Sequence, residues 1–241
     1  MSESRRAVVT GAASGIGRAT ASRLLLEGVS VLAVDLRDPE IEGTESFVCD
    51  LAQPADRERL IESSHGVDYL VNAAGVIELK PIWQFTVEDW RRIQTVNAES
   101  IFFLCQGIGP RMPSGAAIVN LSSSSAKLAT TLEAAIYAAS KATILSITRS
   151  FAYALAPRGV RVNAVCPGIV DTPMQDQVLD EVAHLRDMTR NELEAARNAM
   201  VPLGRPSTAE ECPRLIWFLL SAESAYMTGQ AINWTGGMVT W

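Results

Sequence analysis

Histidine is scarce: His65 and His184 are the only two in 241 residues, and no Gly-x-Ser-x-Gly turn occurs. A Ser-His-Asp hydrolase is therefore disfavoured, because its nucleophile needs an imidazole base beside it. Cysteine is sparse too. Cys49, Cys105, Cys166 and Cys212 stand far apart with no CxxC spacing, so they suggest neither a metal site nor a disulfide framework and fit a reducing, cytoplasmic setting. Positive charge is in deficit, with 21 Lys and Arg against 27 Asp and Glu and a net charge of −6. Such a balance offers no basic face to nucleic acid or to an anionic membrane. Long hydrophobic runs are also missing, and the segment Met1 to Arg6 leads straight into a short apolar strand. Neither a signal peptide nor a membrane span is expected.

What is present is a chain with 48% hydrophobic and 20% charged residues, a globular balance with enough length for one large α/β core. Strand and helix patterns alternate throughout, which predicts an α/β, Rossmann-type, doubly wound and mainly parallel sheet over residues 1–241 with no second domain. The first strand, Ala7 to Thr10, runs into Gly11-Ala12-Ala13-Ser14-Gly15-Ile16-Gly17, a glycine turn opening a helix. Strand, glycine turn and helix in this order let a backbone approach a pyrophosphate and point free N–H groups at it. Asp35, followed by Leu36, closes the second strand about 20 residues on, where a carboxylate accepts from ribose hydroxyls and repels a 2′-phosphate. NAD is thus expected over NADP.

Later strands end in Cys49-Asp50-Leu51, in Asn72-Ala73-Ala74-Gly75 and in Ser122-Ser123-Ser124-Ser125. Thr86 and Asp89 mark a capped helix start. The helix that follows carries Asn97 on its apolar stripe, either as a satisfied core amide or as a functional one. Tyr137 and Lys141 stand one turn apart in an alanine-rich helix, so an ammonium lies near a phenol and is expected to draw its pKa down toward that of a working general acid/base. The sixth strand opens into Cys166-Pro167-Gly168-Ile169-Val170-Asp171-Thr172. Beyond it, residues 172–205 read as two short amphipathic pieces, a mobile lid or a plain surface insertion. A last helix is expected from Thr208, in capping-box register with Glu211, and a last strand from Gln230 to Trp234.

These pieces together resemble the short-chain dehydrogenase/reductase family over essentially the whole chain. The motifs that carry the resemblance are Thr10-Gly11-Ala12-Ala13-Ser14-Gly15-Ile16-Gly17, Asn97, Ser123 and the Tyr137-x-x-x-Lys141 pair. The resemblance implies Tyr137 as general acid/base, Lys141 lowering its pKa and binding the nicotinamide ribose, Ser123 orienting substrate, and Asn97 holding a relay water. It also implies that Asp50 and Leu51 flank the adenine, that Asn72, Ala73, Ala74 and Gly75 lie along the ribose, and that Pro167, Gly168, Val170 and Thr172 meet the nicotinamide end. Counting from the strand end selects Ser123, whereas counting back from Tyr137 selects Ser124. The usual second asparagine of the Asn-Asn-Ala-Gly element is Ala73 here.

The expected activity is NAD-dependent interconversion of a secondary alcohol and its ketone. The segments around Pro167 and Tyr226 are similar to dehydrogenases of small diols and polyols, while the Val71 to Gly75 stretch also resembles dehydrogenases of cyclic hydroxy acids. A 3-oxoacyl reductase and a non-catalytic NAD sensor stay open. No arginine clamp for a carboxylate stands out, and Arg186, Arg190 and Arg197 read as solvated helix charges. By resemblance the chain forms a homodimer or homotetramer, with Trp217, Phe218, Trp234 and Trp241 placed either at an interface or in the core.

Overall fold

The structure, a computed structural model, describes residues 5–129 and 131–241. The first four residues, part of the stretch where no leader is expected, lie outside them. The strands are β1 (Arg6–Thr10), β2 (Ser30–Asp35), β3 (Glu45–Val48), β4 (Tyr69–Asn72), β5 (Ala117–Leu121), β6 (Arg161–Pro167), β7 (Val170–Asp171), β8 (Ser207–Thr208) and β9 (Ala231–Trp234). The helices are α1 (Gly15–Leu26), α2 (Pro54–Ser63), α3 (Val87–Gln94), α4 (Ser100–Ile108), α5 (Ala135–Leu155), α6 (Pro173–Leu185), α7 (Arg190–Asn198) and α8 (Cys212–Leu220).

Seven strands form a parallel sheet in the order β3-β2-β1-β4-β5-β6-β9. Strand order reverses between β1 and β4, and the crevice outside their carboxyl ends is where open α/β sheets bind ligands. The central strands read as unbroken apolar runs because helices cover both faces. On one face Val8, Leu32, Leu70 and Ile118 meet Leu60, Leu104, Ile108 and Ile144. On the other, Val9, Val31, Val71 and Val119 meet Leu24, Ile216 and Leu219. Trp217 belongs to this second core, edge-on to Tyr69 at 6.0 Å.

Three local features differ from the sequence pattern. The capping box at Thr86 and Asp89 forms as expected, yet the helix it starts is broken by a π-helical turn at Thr95–Glu99. That extra residue rotates the stripe and turns Asn97 inward. The last helix begins at Cys212, not Thr208, because Thr208 pairs with Asp171 across β7–β8. Glu211 still accepts from the Thr208 amide at 2.9 Å, and Arg205 grips the same carboxylate. Finally, the segment between β7 and β8 is tied at both ends by that pairing. Its helices α6 and α7 bury Val178, Leu179, Val182 and Leu193 against Ile77, Leu79, Ala134 and Tyr137 in a third core.

Candidate active site

A cleft of about 420 Å³ opens at the carboxyl ends of β1, β4, β5 and β6. Every residue expected at the cofactor lines it except Asn72. The glycine turn owes its composition to close approach. A Cβ on Gly17 would lie 2.1 Å from the Gly11 carbonyl oxygen, and one on Gly11, whose φ is +71°, would lie 2.7 Å from the Ala74 nitrogen. Neither neighbour is a side chain that can swing away, so only glycine fits. Thr10 Oγ1 accepts from the amides of Ala73 and Ala74 at 3.1 and 3.2 Å, which holds the β4 end against the turn. The Ala73 departure therefore leaves the backbone path intact.

Asp35 lines the cleft beside the glycine turn, with one carboxylate oxygen accepting from the Ala13 amide at 3.0 Å. It thus braces the turn, and its other oxygen has only a 3.5 Å contact with the Arg37 amide. Asp50 also lines the cleft and accepts from Ala52 N at 2.9 Å. Asn72 keeps its side chain out of the cleft. Its side chain points under the floor, donating to Asn120 Oδ1 at 2.8 Å within the sheet. Asn120 in turn donates to Thr148 at 3.0 Å, so this asparagine pair ties β4 and β5 to α5.

At the reacting end, Ser123, Tyr137 and Lys141 share one wall. Ser123 is the serine whose hydroxyl meets the phenol, while Ser124 starts a short 3-10 turn beside it. Lys141 is buried, donates to the Leu121 carbonyl at 2.9 Å and sits 5.5 Å from the Tyr137 ring centroid. The lowered phenol pKa expected from this pairing does not hold in the chain by itself. Burial pushes the Tyr137 phenol up to about 12, and the Ser123 hydrogen bond only partly opposes it. Burial also pulls the Lys141 ammonium down to about 8. Desolvation is the largest cause at both groups, because both are removed from water.

The Asn97 side chain is bonded within the protein. It is fully buried; its Oδ1 accepts from Val76 N at 2.8 Å, and its Nδ2 donates to Val76 O at 2.9 Å and Ser140 Oγ at 3.0 Å. Both amide hydrogens are spent within the protein. Asn97 is a positioning residue that locks the Gly75–Val76 segment to α5.

The lid arginines divide. Arg186 pairs with Glu133 at 2.7 Å, and Arg190 pairs with Asp180 at 2.7 Å and with Asp176. Arg197, read from the sequence as a solvated charge, instead lines the cleft. The missed signal is its spacing, since it follows the buried Leu193 by four residues and so shares the inner face of α7.

The family model described as enoyl-(acyl carrier protein) reductase matches residues 11–239. The chain is 32% identical to L-2,3-butanediol dehydrogenase of Corynebacterium glutamicum, over 98% of this chain and 99% of that one. It is 35% identical to the 3-oxoacyl-[acyl-carrier-protein] reductase of Thermotoga maritima, over 98% of each. The solved structure of an actinorhodin polyketide ketoreductase with NADPH superposes with a TM-score of 0.88 at 30% identity, covering 100% of this chain and 99% of that one. The protein belongs to the short-chain dehydrogenase/reductase family, a class of oxidoreductases that bind a nicotinamide cofactor. Among the described residues no helix is long and apolar enough to cross a membrane.

Proposed function

We propose that the protein is an NAD-dependent dehydrogenase/ketoreductase that interconverts a secondary alcohol and its ketone. The observation that carries this reading is the placement of Ser123, Tyr137 and Lys141 on one wall of the cleft that the glycine turn also lines. The residues fit a dinucleotide. The turn leaves no space for side chains near the first glycine, and the first turn of α1 carries no acidic residue to compete with a pyrophosphate. Asp35 supports NAD, since a carboxylate at the end of β2 suits two ribose hydroxyls and opposes a phosphate.

When bound, the nicotinamide supplies the hydride donor or acceptor and, oxidised, a positive charge near the phenol. The chain's own groups handle the proton. Ser123 holds the substrate oxygen, and Tyr137 Oη gives that oxygen a proton in reduction or takes it in oxidation. Lys141, fixed on the Leu121 carbonyl, keeps a positive charge beside the ring below pH about 8. At neutral pH the chain alone therefore presents a protonated phenol beside a charged lysine, which is the acid form suited to ketone reduction.

Replacing Tyr137 with Phe is expected to lower turnover about 10³-fold while cofactor affinity, read by reduced-nicotinamide fluorescence, stays within twofold; near-normal turnover would remove the assignment. The reductive rate should hold up to about pH 8 and fall above it as Lys141 loses its proton. A preference for NADP over NAD in kcat/KM would reassign Asp35.

Assembly as a homo-oligomer draws support from Phe102, Phe103 and Tyr153, exposed aromatics on α4 and α5. A monomer in sedimentation would end that part of the proposal.

A further inference from the structure

Arg197 is the anomaly of the site. Its terminal nitrogens donate only to neutral acceptors, Thr131 Oγ1 at 3.2 Å and Gln175 Oε1 at 3.3 Å. Its Nε is buried without a hydrogen-bond partner among the described residues. No carboxylate of the described residues pairs with it, although Arg186, Arg190 and Arg205 are all paired. Burial and the like charge of Arg186 both work against the protonated guanidinium.

Desolvating a guanidinium without a counter-charge is costly, and an apolar residue would remove that cost. Apolar side chains are tolerated in this part of the cleft, where Met174, Met200 and Met238 contribute to the lining. A planar guanidinium is instead held in the lining of the cleft that Tyr137 also lines, with its terminal nitrogens on uncharged acceptors. Such a group matches a carboxylate, which takes two parallel charge-assisted hydrogen bonds from it.

Resting on the oxidoreductase reading above, we infer that the substrate is a hydroxy acid, or the matching oxo acid, whose carboxylate is held by Arg197 while its carbinol or carbonyl oxygen lies at Ser123 and Tyr137. The competing source of negative charge is the cofactor's pyrophosphate, because α6 starts beside the glycine turn, with Thr172 Cγ2 3.2 Å from where a Gly15 Cβ would lie. The substrate is favoured on two grounds. The pyrophosphate already has the helix N-terminus and the turn amides. Arg197 is also anchored on Thr131, in the segment that leads into the helix bearing Tyr137.

The test assays wild type, Arg197→Met and Arg197→Lys with NAD and a panel of 2-hydroxy, 3-hydroxy and cyclic hydroxy acids, each beside its methyl ester. Two charge-assisted bonds predict that wild type prefers an acid over its ester by ~100-fold in kcat/KM. In Arg197→Met the KM for acids should rise by a similar factor, with ester turnover, cofactor affinity and melting temperature not reduced. Lysine should restore part of the loss. Equal use of acids and esters by wild type overturns the inference. So does a fall in cofactor affinity matching the fall in activity, which would give Arg197 to the pyrophosphate. If neither acids nor esters turn over, the oxidoreductase reading fails for this panel, and calorimetry of the same acids against cofactor-loaded protein decides the inference separately. Acid binding lost in Arg197→Met keeps it, and no acid binding overturns it.

Discussion

The wall of the cleft beside the glycine turn is mostly main chain, whereas the wall beneath α6 and α7 is mostly side chain. On the first, Gly11, Gly17, Ala73 and Ala74 pack backbone against backbone at separations that leave no place for a Cβ. On the second, Met174, Gln175 and Arg197 reach in from helices that rest on their own small core, and Met200 from the turn after α7. The two constructions have different tolerances. A wall of backbone is either intact or lost, because the neighbour that must give way is a peptide group. A wall of side chains can be rewritten one residue at a time without disturbing the sheet, which is how one fold comes to serve many substrates.

The sharpest way to break this contrast is Gly17→Ala. The added methyl would meet the Gly11 carbonyl oxygen at 2.1 Å, so the turn must open and the α1 N-terminus must move. Cofactor affinity is expected to fall by ~100-fold or more, measured by fluorescence titration with circular dichroism as the check on folding. A protein that keeps its fold and binds within threefold of wild type would show that the cradle is not rigid.

How far the sequence revealed each wall follows from the same difference. The cradle was legible because its chemistry forces residue identity: glycine where a Cβ collides, a small residue where two strand ends touch, an acid at the end of β2. The element order and the parallel sheet were legible for a similar reason, since buried strands flanked by helices need continuous apolar runs. Three-dimensional partners were not. Asn97 carries no sign in the sequence of its three hydrogen bonds to Val76 and Ser140, because Val76 lies 21 residues away and any polar residue on a helix stripe looks alike. The π-helical turn that aims it is set by packing, not by local propensity. The pKa of Tyr137 was misjudged because spacing shows the lysine but not the burial that desolvates both groups. Arg197 was overlooked because pairing separates it from Arg186 and Arg190, and pairing is invisible until α6 and α7 are folded together.

Asn97→Ala tests the joint between the two walls. The Val76 amide and carbonyl both lose their partner in a half-buried place, and Ser140 loses one more bond. Each stranded group costs roughly 1–3 kcal/mol, so a loss of about 2–4 kcal/mol in stability is expected by chemical denaturation. Gly75 faces both Asn97 and Lys141 Nζ, so cofactor affinity should fall as well, by less than in Gly17→Ala. A variant as stable as wild type would mean that Val76 finds other partners and that the joint is not where the walls are coupled.

The smallest effect sharpens the contrast inside the lid. Arg190 lies on the same helix as Arg197 and is paired with Asp176 and Asp180, all three on the solvent side. Exposed pairs of this kind are screened by salt and offset by the ordering of long side chains. Arg190→Ala is therefore expected to leave KM for acids and esters unchanged and to shift the melting temperature by no more than about 2 °C. Measured beside Arg197→Met, it separates the charge of α7 from the position of that charge. If Arg190→Ala raised the KM for acids as Arg197→Met does, the lid would be acting through its overall positive potential, and the cleft would need no directed guanidinium. If only Arg197→Met does so, the selectivity lies in the arginine of α7 that has no carboxylate partner among the described residues.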